Sequence, residues 1–124
     1  MNKKELGNLG ETYAQKFLVS RNYKIIKTNY YCRHGEIDII ALDMEAKNEL
    51  VFFEIKSRTS TDFGTPAEAV TFSKRRKIIT SALHFLSSLP KKTSFSWRID
   101  LIALILKRNG GIIHLSHLKH IFDG

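Results

Sequence analysis

Apolar residues recur along the chain with two different spacings, and the wider spacing predicts two helices. In residues 3–21 they return every three or four positions, as expected of a helix with one buried side, at Leu6, Leu9, Tyr13, Phe17 and Leu18. Residues 67–89 repeat this pattern, and Pro90 marks its end. We therefore predict one helix at the start of the chain and a second one after its midpoint.

Shorter apolar stretches, rich in aromatic and β-branched residues, predict five strands. These strands cover residues 23–31, 36–42, 49–57, 95–106 and 112–116. Turns are predicted at His34-Gly35, in residues 43–48 and at Asn109-Gly110-Gly111, and a loop from Arg58 to Pro66. The order α-β-β-β-α-β-β predicts an α/β fold in which helices cover a mixed sheet. A chain of this length fits one domain, residues 1–124.

Charged residues interrupt two predicted strands at positions where apolar neighbours indicate burial. Side chains of a strand alternate between its two faces, so Glu54 and Lys56 share one face of the third strand. The second strand carries Asp38 within an apolar run. Because burying an unpaired charge is costly, we expect these three charges to have partners.

Antiparallel pairing of these two strands would place Asp38 beside Glu54. Two adjacent carboxylates repel each other but bind a divalent cation well, and hard oxygen ligands suit Mg²⁺ or Mn²⁺. Lys56 could then neutralise charge on a phosphate or position a water. The pattern therefore fits a metal-assisted phosphodiester hydrolase. The alternative is an internal salt bridge between Lys56 and one of the two acids.

The charge balance of the chain favours a polyanionic partner. Lys and Arg number 20 and Asp and Glu 12, which gives a net charge of +8, and nucleic acid is the common polyanion. The single cysteine, Cys32, cannot form an internal disulfide, which fits a reducing compartment and predicts a cytoplasmic protein. The apolar runs are all shorter than about 18 residues, so we expect no membrane span.

An ordered set of short motifs runs through nearly the whole chain. The set is Gly10-Glu11-x-x-Ala14-x-x-Phe17-Leu18, then Gly35-Glu36-Ile37-Asp38-Ile39-Ile40-Ala41, Val51-Phe52-Phe53-Glu54-Ile55-Lys56-Ser57-Arg58, Phe63-Gly64, Glu68-Ala69-Val70 followed by Lys74, and Arg98-Ile99-Asp100. In this order the motifs resemble the PD-(D/E)XK nuclease superfamily. Within it the chain looks like the small bacterial YraN-like family, which is similar in fold to archaeal Holliday junction resolvases. Ile37 stands where the superfamily name has Pro, but that Pro is not a metal ligand.

The resemblance implies a restriction-endonuclease-like αβββαβ core and a role for each acid. Asp38 and Glu54 would be ligands of Mg²⁺ or Mn²⁺, and Lys56 would be the catalytic lysine. Glu11, on the first helix, would match an additional acid that resolvase-like members place near the metal. From the residues alone, Glu11 could equally be a surface acid stabilised by the helix dipole. Glu36 is an accessory ligand or a strand-end charge.

Four basic residues are candidates for contacts with nucleic-acid phosphates: Arg58, Lys74, Arg75 and Lys77. Arg58 shares the strand face of Glu54 and could hold a phosphate through two hydrogen bonds. Lys74 and Lys77 share one side of the second helix, and Arg75 does not. For all four, the alternative is a solvated surface charge.

Several other residues are predicted to be structural. Arg98 and Asp100 share a strand face and are expected to form an ion pair. Three histidines fit surface positions or phosphate contacts better than a zinc site: His114, His117 and His120. Four aromatic side chains are expected in the core: Phe52, Phe53, Phe72 and Trp97.

Two glycines lie in the first turns of the first predicted helix. Gly7 and Gly10 would each weaken that helix by about 1 kcal/mol relative to alanine. They could instead allow another part of the backbone to approach closely, because glycine has no Cβ.

The leading hypothesis is a Mg²⁺- or Mn²⁺-dependent DNA endonuclease in which water is the nucleophile. Branched or structured DNA is the substrate that the resemblance favours, and a twofold-symmetric homodimer would suit its paired strands. The rival hypothesis is a non-catalytic nucleic-acid-binding or adaptor module on the same fold. A third hypothesis, a protein-interaction domain, predicts no salt-dependent binding of DNA.

Overall fold

The computed structural model of the protein describes residues 1–59, 71–90 and 95–122. Its elements along the chain are α1 (Lys3–Ser20), β1 (Tyr23–Cys32), β2 (Gly35–Asp43), β3 (Glu49–Thr59), α2 (Phe72–Ser87), β4 (Trp97–Leu106) and β5 (Ile112–Leu118). The predicted order of elements is confirmed. None of the helices in these ranges is long and apolar enough to cross a membrane.

The strands form one mixed sheet in the order β1-β2-β3-β4-β5. Neighbouring strands run antiparallel, except that β3 and β4 run parallel. This parallel pair follows from the crossover through α2, because two parallel neighbours cannot be joined by a tight hairpin. The predicted α/β fold with a mixed sheet is therefore confirmed.

The two helices cover opposite faces of the sheet. Ala14 and Leu18 of α1 pack with one set of inward-facing strand residues, whereas Ile78, Ala82 and Phe85 of α2 pack with the other set. The alternation in β3 divides its side chains between the two layers: Val51, Phe53 and Ile55 belong to the α1 layer, and Leu50 and Phe52 to the α2 layer. Glu54 follows the alternation of Phe52 and so faces α2.

Some predicted boundaries differ from the observed ones. Arg58 was predicted to open a loop, but it lies within β3 and pairs with Ile105 of β4. The parallel ladder with β4 extends the strand beyond the point where the local sequence becomes polar. Helix α2 begins at Phe72, where the Thr71 hydroxyl accepts a hydrogen bond from Lys74 N at 3.2 Å. The predicted loop and helix start in residues 60–70 lie outside the described residues.

A buried network centred on Arg98 joins four strands in the α1 layer. Arg98 Nε donates to both oxygens of Asp100, at 3.0 and 3.1 Å, which confirms the predicted ion pair. Its two terminal nitrogens donate to Glu49 Oε1 at 2.5 Å, Asp43 Oδ2 at 3.1 Å and the Tyr23 hydroxyl at 2.9 Å. The ion pair is therefore one part of a larger structural network.

His117 completes the side of this network that faces β5. Its Nε2 lies 2.8 Å from Asp100 Oδ2, and the ring is half-buried against Phe17, Tyr23 and Phe53. The prediction of a surface histidine is therefore wrong for His117, because the neighbouring β4 presents a buried carboxylate to it. His114 and His120 are exposed.

Gly10 allows α1 to approach β3 closely. A Cβ at this buried position would overlap Ser57 Oγ and would lie 3.0 Å from Ser57 Cβ. By contrast, a Cβ at Gly7 would meet nothing within 4 Å. Close approach thus explains Gly10 but not Gly7.

The two glycines are expected to respond to alanine with opposite signs. Gly7→Ala should raise the free energy of unfolding by up to about 1 kcal/mol through helix propensity. Gly10→Ala should lower it by roughly 1–3 kcal/mol, because the Ser57 hydroxyl can rotate away from the added methyl group but Ser57 Cβ, at 3.0 Å, cannot, so that α1 must shift away from β3. Urea denaturation of both variants checks this. Stabilisation by both substitutions would mean that α1 does not lie this close to β3.

Candidate active site

The pairing of β2 with β3 brings two buried carboxylates together. Their ladder ends at Ile39 opposite Phe53, so the next residues along the strands are Asp38 and Glu54. Asp38 is 9% exposed and Glu54 is 5% exposed. Asp38 Oδ2 accepts a hydrogen bond of 2.8 Å from Ile55 N, which fixes the Asp38 carboxylate against β3.

Burial and charge repulsion raise the pKa of Asp38 to about 7. Loss of solvation is the larger cause, and the nearby carboxylate of Glu54 is the next one. Glu11 and Glu36 add to the repulsion, and the hydrogen bond from Ile55 N opposes it. The charged form of the Asp38 carboxyl is therefore less stable in the folded protein than it would be in water.

Two ammonium groups lie next to Glu54. Lys74 Nζ of α2 is 2.5 Å from Glu54 Oε1, and Lys56 Nζ of β3 is 3.9 Å from the same oxygen. Burial and the neighbouring Lys74 lower the pKa of Lys56. Burial is also the largest single influence on Lys74 and lowers its pKa, but the hydrogen bonds with Glu54 and Lys56 and the charges of Glu54 and Asp38 together outweigh it, so the pKa of Lys74 is raised. The main partner of Glu54 is therefore Lys74 rather than Lys56.

Glu11 reaches this acid cluster from α1. Its carboxyl interacts with the side chains of Asn29 and Asp38, and burial is the main reason why its pKa is raised. Asn29 sits in β1 with a φ of 51°, a left-handed conformation that Asn adopts more readily than most residues. Asn29 was not predicted from the sequence as a site residue, although an Asn within an otherwise regular strand is a signal of such a local irregularity.

A cleft of about 370 Å³ opens beside Glu54, between the start of β2 and the first turns of α2. We call it the active-site cleft; its lining includes Glu36, Glu54, Ser73, Lys74 and Lys77. Gly35 allows β2 to lie against α2 here, because a Cβ at Gly35 would meet Ser81 Oγ at 3.3 Å and its φ of 145° disfavours other residues. The cleft gives solvent access to a buried carboxylate.

The four predicted phosphate contacts lie in different places. Lys74 and Lys77 line the active-site cleft, as their shared side of α2 suggested. Arg75 points elsewhere, with its guanidinium 4.9 Å from the centre of the Phe122 ring. Arg58 lies in β3, four residues after Glu54, and is half-buried.

Three of the four aromatic side chains that were predicted in the core lie in it or against it, and one does not. Phe52 and Phe53 are buried, and Trp97 packs against the core. Phe72 was predicted in the core, but 74% of it is exposed. Phe72 continued the apolar stripe of the predicted helix. It is, however, the first residue of α2, and its side chain does not share the helix face of the buried residues Ile78, Ala82 and Phe85.

The carboxylate oxygens of Asp38 and Glu54 are the right kind of ligand for a hard divalent cation, but they are few in number. Carboxylates that repel one another at a solvent-accessible cleft are suitable ligands for Mg²⁺ or Mn²⁺. In the part of the chain that the structure describes, however, no three His, Cys, Asp or Glu side chains are arranged to hold a metal ion. A cation here would therefore rely on water and phosphate oxygens for much of its coordination, as Mg²⁺ usually does. The role of Glu11 as a third ligand stays a prediction.

The solved structures that resemble this protein include two distant relatives in fold. A repair endonuclease from Pyrococcus abyssi matches 89% of this chain with 16% sequence identity and a TM-score of 0.45, and the match covers 42% of that chain. SfsA from Pyrococcus furiosus, in complex with Ca²⁺, matches 94% of this chain with 14% identity and a TM-score of 0.41, over 64% of its own length. The protein thus spans less than two thirds of either structure.

Comparison with sequences gives a much closer similarity. The model of the family described as "Uncharacterised protein family UPF0102" matches residues 10–104. A UPF0102 protein of Caldanaerobacter subterraneus subsp. tengcongensis is 41% identical over 123 residues, which cover 99% of this chain and 96% of that protein. The protein therefore belongs to UPF0102, the YraN family that the sequence motifs resemble.

Proposed function

We propose that the protein is a divalent-cation-dependent endonuclease that hydrolyses phosphodiester bonds in DNA. One observation carries the proposal: the buried carboxylates of Asp38 and Glu54 repel each other on neighbouring strands, with Lys56 Nζ 3.9 Å from Glu54, and Glu54 lines a cleft that solvent can enter. Buried acids in mutual repulsion are costly for a fold, and strongly perturbed groups of this kind cluster at functional sites.

Asp38 and Glu54 would hold the cation, Mg²⁺ or Mn²⁺, with Glu11 as a third acid nearby. When bound, the cation supplies charge that stabilises the negative charge developing on the phosphate and makes a bound water more acidic. The hydrogen bond from Ile55 N keeps the Asp38 carboxylate in one orientation. Lys56 has a lowered pKa, so its ammonium can both neutralise the phosphate and release a proton more readily than an ordinary lysine.

The substrate in this proposal is DNA, and its preferred form is branched or structured DNA. The net charge of +8 favours a polyanion, and Lys77 supplies a further cation at the cleft. A homodimer would place two such sites on two strands of a branched substrate. A cytoplasmic location fits the single cysteine.

The second candidate is a non-catalytic module that binds nucleic acid on the same fold. The contact between Lys74 and Glu54 favours it, because an ammonium already satisfies one of the carboxylates. In that case the predicted internal salt bridge would be the main role of Glu54, with Lys74 as its partner. An assay for DNA hydrolysis decides between the two candidates, because only the endonuclease needs Asp38 and Glu54 to hold a cation together.

The test is a cleavage assay on labelled four-way junction, flap, single-stranded and duplex DNA, with Mg²⁺ or Mn²⁺. We expect cleavage of at least one substrate by the wild type and a loss of roughly 100-fold or more in Glu54→Gln, because a lost ligand removes several kcal/mol of transition-state stabilisation. Glu45→Gln is the matched control, since Glu45 is exposed at the β2–β3 turn. Binding without cleavage under every condition would support the non-catalytic module.

A further inference from the structure

Phe72 is the most exposed large hydrophobic side chain in the described part of the chain, with 74% of its surface accessible. It belongs to neither of the two core clusters and stands at the first position of α2, next to the active-site cleft. An exposed aromatic ring beside a cleft is a typical feature of a binding surface rather than of a core.

Basic and hydroxyl side chains surround this ring. Phe72 and Arg76 are four residues apart and so lie on the same side of α2. Together with His34, Ser73, Lys77 and Thr80 they line a second depression of about 390 Å³, which we call the outer groove. Its lining contains no Asp or Glu among the described residues. The outer groove therefore combines an aromatic face with cations.

The outer groove continues the active-site cleft. Ser73 and Lys77 line both depressions, so one surface leads from Glu54 along the first turns of α2 to Phe72. The charge changes along this path, because Glu36 and Glu54 lie at one end, Lys77 lies where the two depressions meet, and Arg76 lies at the other end. A phosphate chain that leaves the carboxylate end would thus meet cations and then an aromatic ring.

We propose that the outer groove binds an unpaired strand of DNA, with a base stacked on Phe72 and phosphates held by Arg76 and Lys77. This inference rests on the proposed function and narrows its substrate to DNA with an unpaired segment next to the bond that is cut. In a duplex, both faces of each base are covered by its neighbours, whereas an unpaired base can stack on an aromatic side chain. Cations alone would not distinguish the two forms.

The test measures binding by fluorescence anisotropy, in EDTA, with one labelled sequence as a single strand and as a duplex. Loss of one stacked base weakens binding by roughly 5- to 150-fold. We expect a loss in this range for Phe72→Ala and Phe72→Leu on the single strand and less than about a twofold change on the duplex. Phe72→Trp should retain single-strand binding, because tryptophan keeps a stacking face. Leu83→Ala is the matched control, since Leu83 is an apolar, half-exposed residue of the same helix.

The two proposals fail in different ways in this design. Equal losses on single strand and duplex, or no loss for Phe72→Ala on the single strand, would overturn the role of Phe72 even if the wild type cleaves DNA. Phe72-dependent binding by a protein that never cleaves would support the groove and contradict the hydrolase. A wild type that binds neither form of DNA would overturn both proposals.

Discussion

Asp38→Asn is expected to stabilise the folded protein above pH 7 and at the same time to abolish cleavage. Asparagine keeps the shape of the side chain and can still accept the hydrogen bond from Ile55 N. It removes the buried charge that Glu54 repels. The gain in the free energy of unfolding should be on the order of 2 kcal/mol, because each unit of pKa shift corresponds to about 1.4 kcal/mol and part of the shift is relieved by local adjustment.

The pH dependence of this effect has a definite sign. The pKa of Asp38 is raised from 3.8 to about 7, so the folded chain holds a proton that the unfolded chain releases near pH 4. The wild type therefore loses stability as the pH rises from about 4 to about 7 and keeps the full penalty above that range. Asp38→Asn lacks this loss, so its advantage should grow steadily as the pH rises from about 4 and should reach its full size above about pH 7.

Thermal or urea unfolding at pH 5 and pH 8, together with the cleavage assay, checks both effects. Asp43→Asn is the matched control, because Asp43 is a buried aspartate of the same strand. Burial acts against the Asp43 carboxylate, but hydrogen bonds from Arg98 and Glu45 N outweigh it and lower its pKa. Asp43→Asn should therefore destabilise the fold and leave cleavage largely intact. Destabilisation by Asp38→Asn at pH 8 would mean that burial and the charge of Glu54 do not disfavour the Asp38 carboxylate.

Arg98→Met is expected to lower the free energy of unfolding more than any of the other substitutions. It would leave Asp100, which is fully buried, and Asp43, which is 5% exposed, without the guanidinium that both contact. Breaking a buried ion pair on one side costs about 3–5 kcal/mol, because the remaining charge stays desolvated. This is a large share of the 5–15 kcal/mol that typically stabilises a domain.

Equilibrium unfolding in urea measures this loss, with Arg108→Met as the control at an exposed turn position. Arg98→Lys should lie between the wild type and Arg98→Met, because lysine keeps the charge but cannot reach Asp43, Glu49 and Asp100 together. Asp38 and Glu54 lie outside this network. We therefore expect Arg98→Lys to lower the free energy of unfolding more strongly than it lowers the rate of cleavage per folded molecule. Similar stabilities for Arg98→Met and Arg108→Met would contradict the assigned network.

The sequence predicted those parts of the site that depend on strand pairing. Asp38 and Glu54 stand out because each charge interrupts an apolar strand, and a two-residue period with antiparallel pairing is enough to place them side by side. The mixed sheet also follows from the order of the elements, because a helical crossover between β3 and β4 implies a parallel pair.

The remaining parts depend on how helices dock, which local patterns do not encode. Lys74 was predicted as a phosphate contact, but α2 lies so that its ammonium reaches Glu54. The same docking leaves Phe72 outside the core although it continues an apolar stripe. The network of Arg98 with Asp43 and Glu49 joins residues 49 or more positions apart, so spacing alone could reveal only its contact with Asp100.

Anomalous diffraction from Mn²⁺ in crystals of the protein would show whether Asp38 and Glu54 share a cation. We expect a strong peak within coordinating distance of one oxygen each from Asp38 and Glu54, with Lys74 released from Glu54. An equally soaked crystal of Asp38→Asn should lack that peak. A wild-type crystal without Mn²⁺ at this position, and with Lys74 still bound to Glu54, would contradict a shared cation site and leave the two carboxylates as members of an ion-pair network.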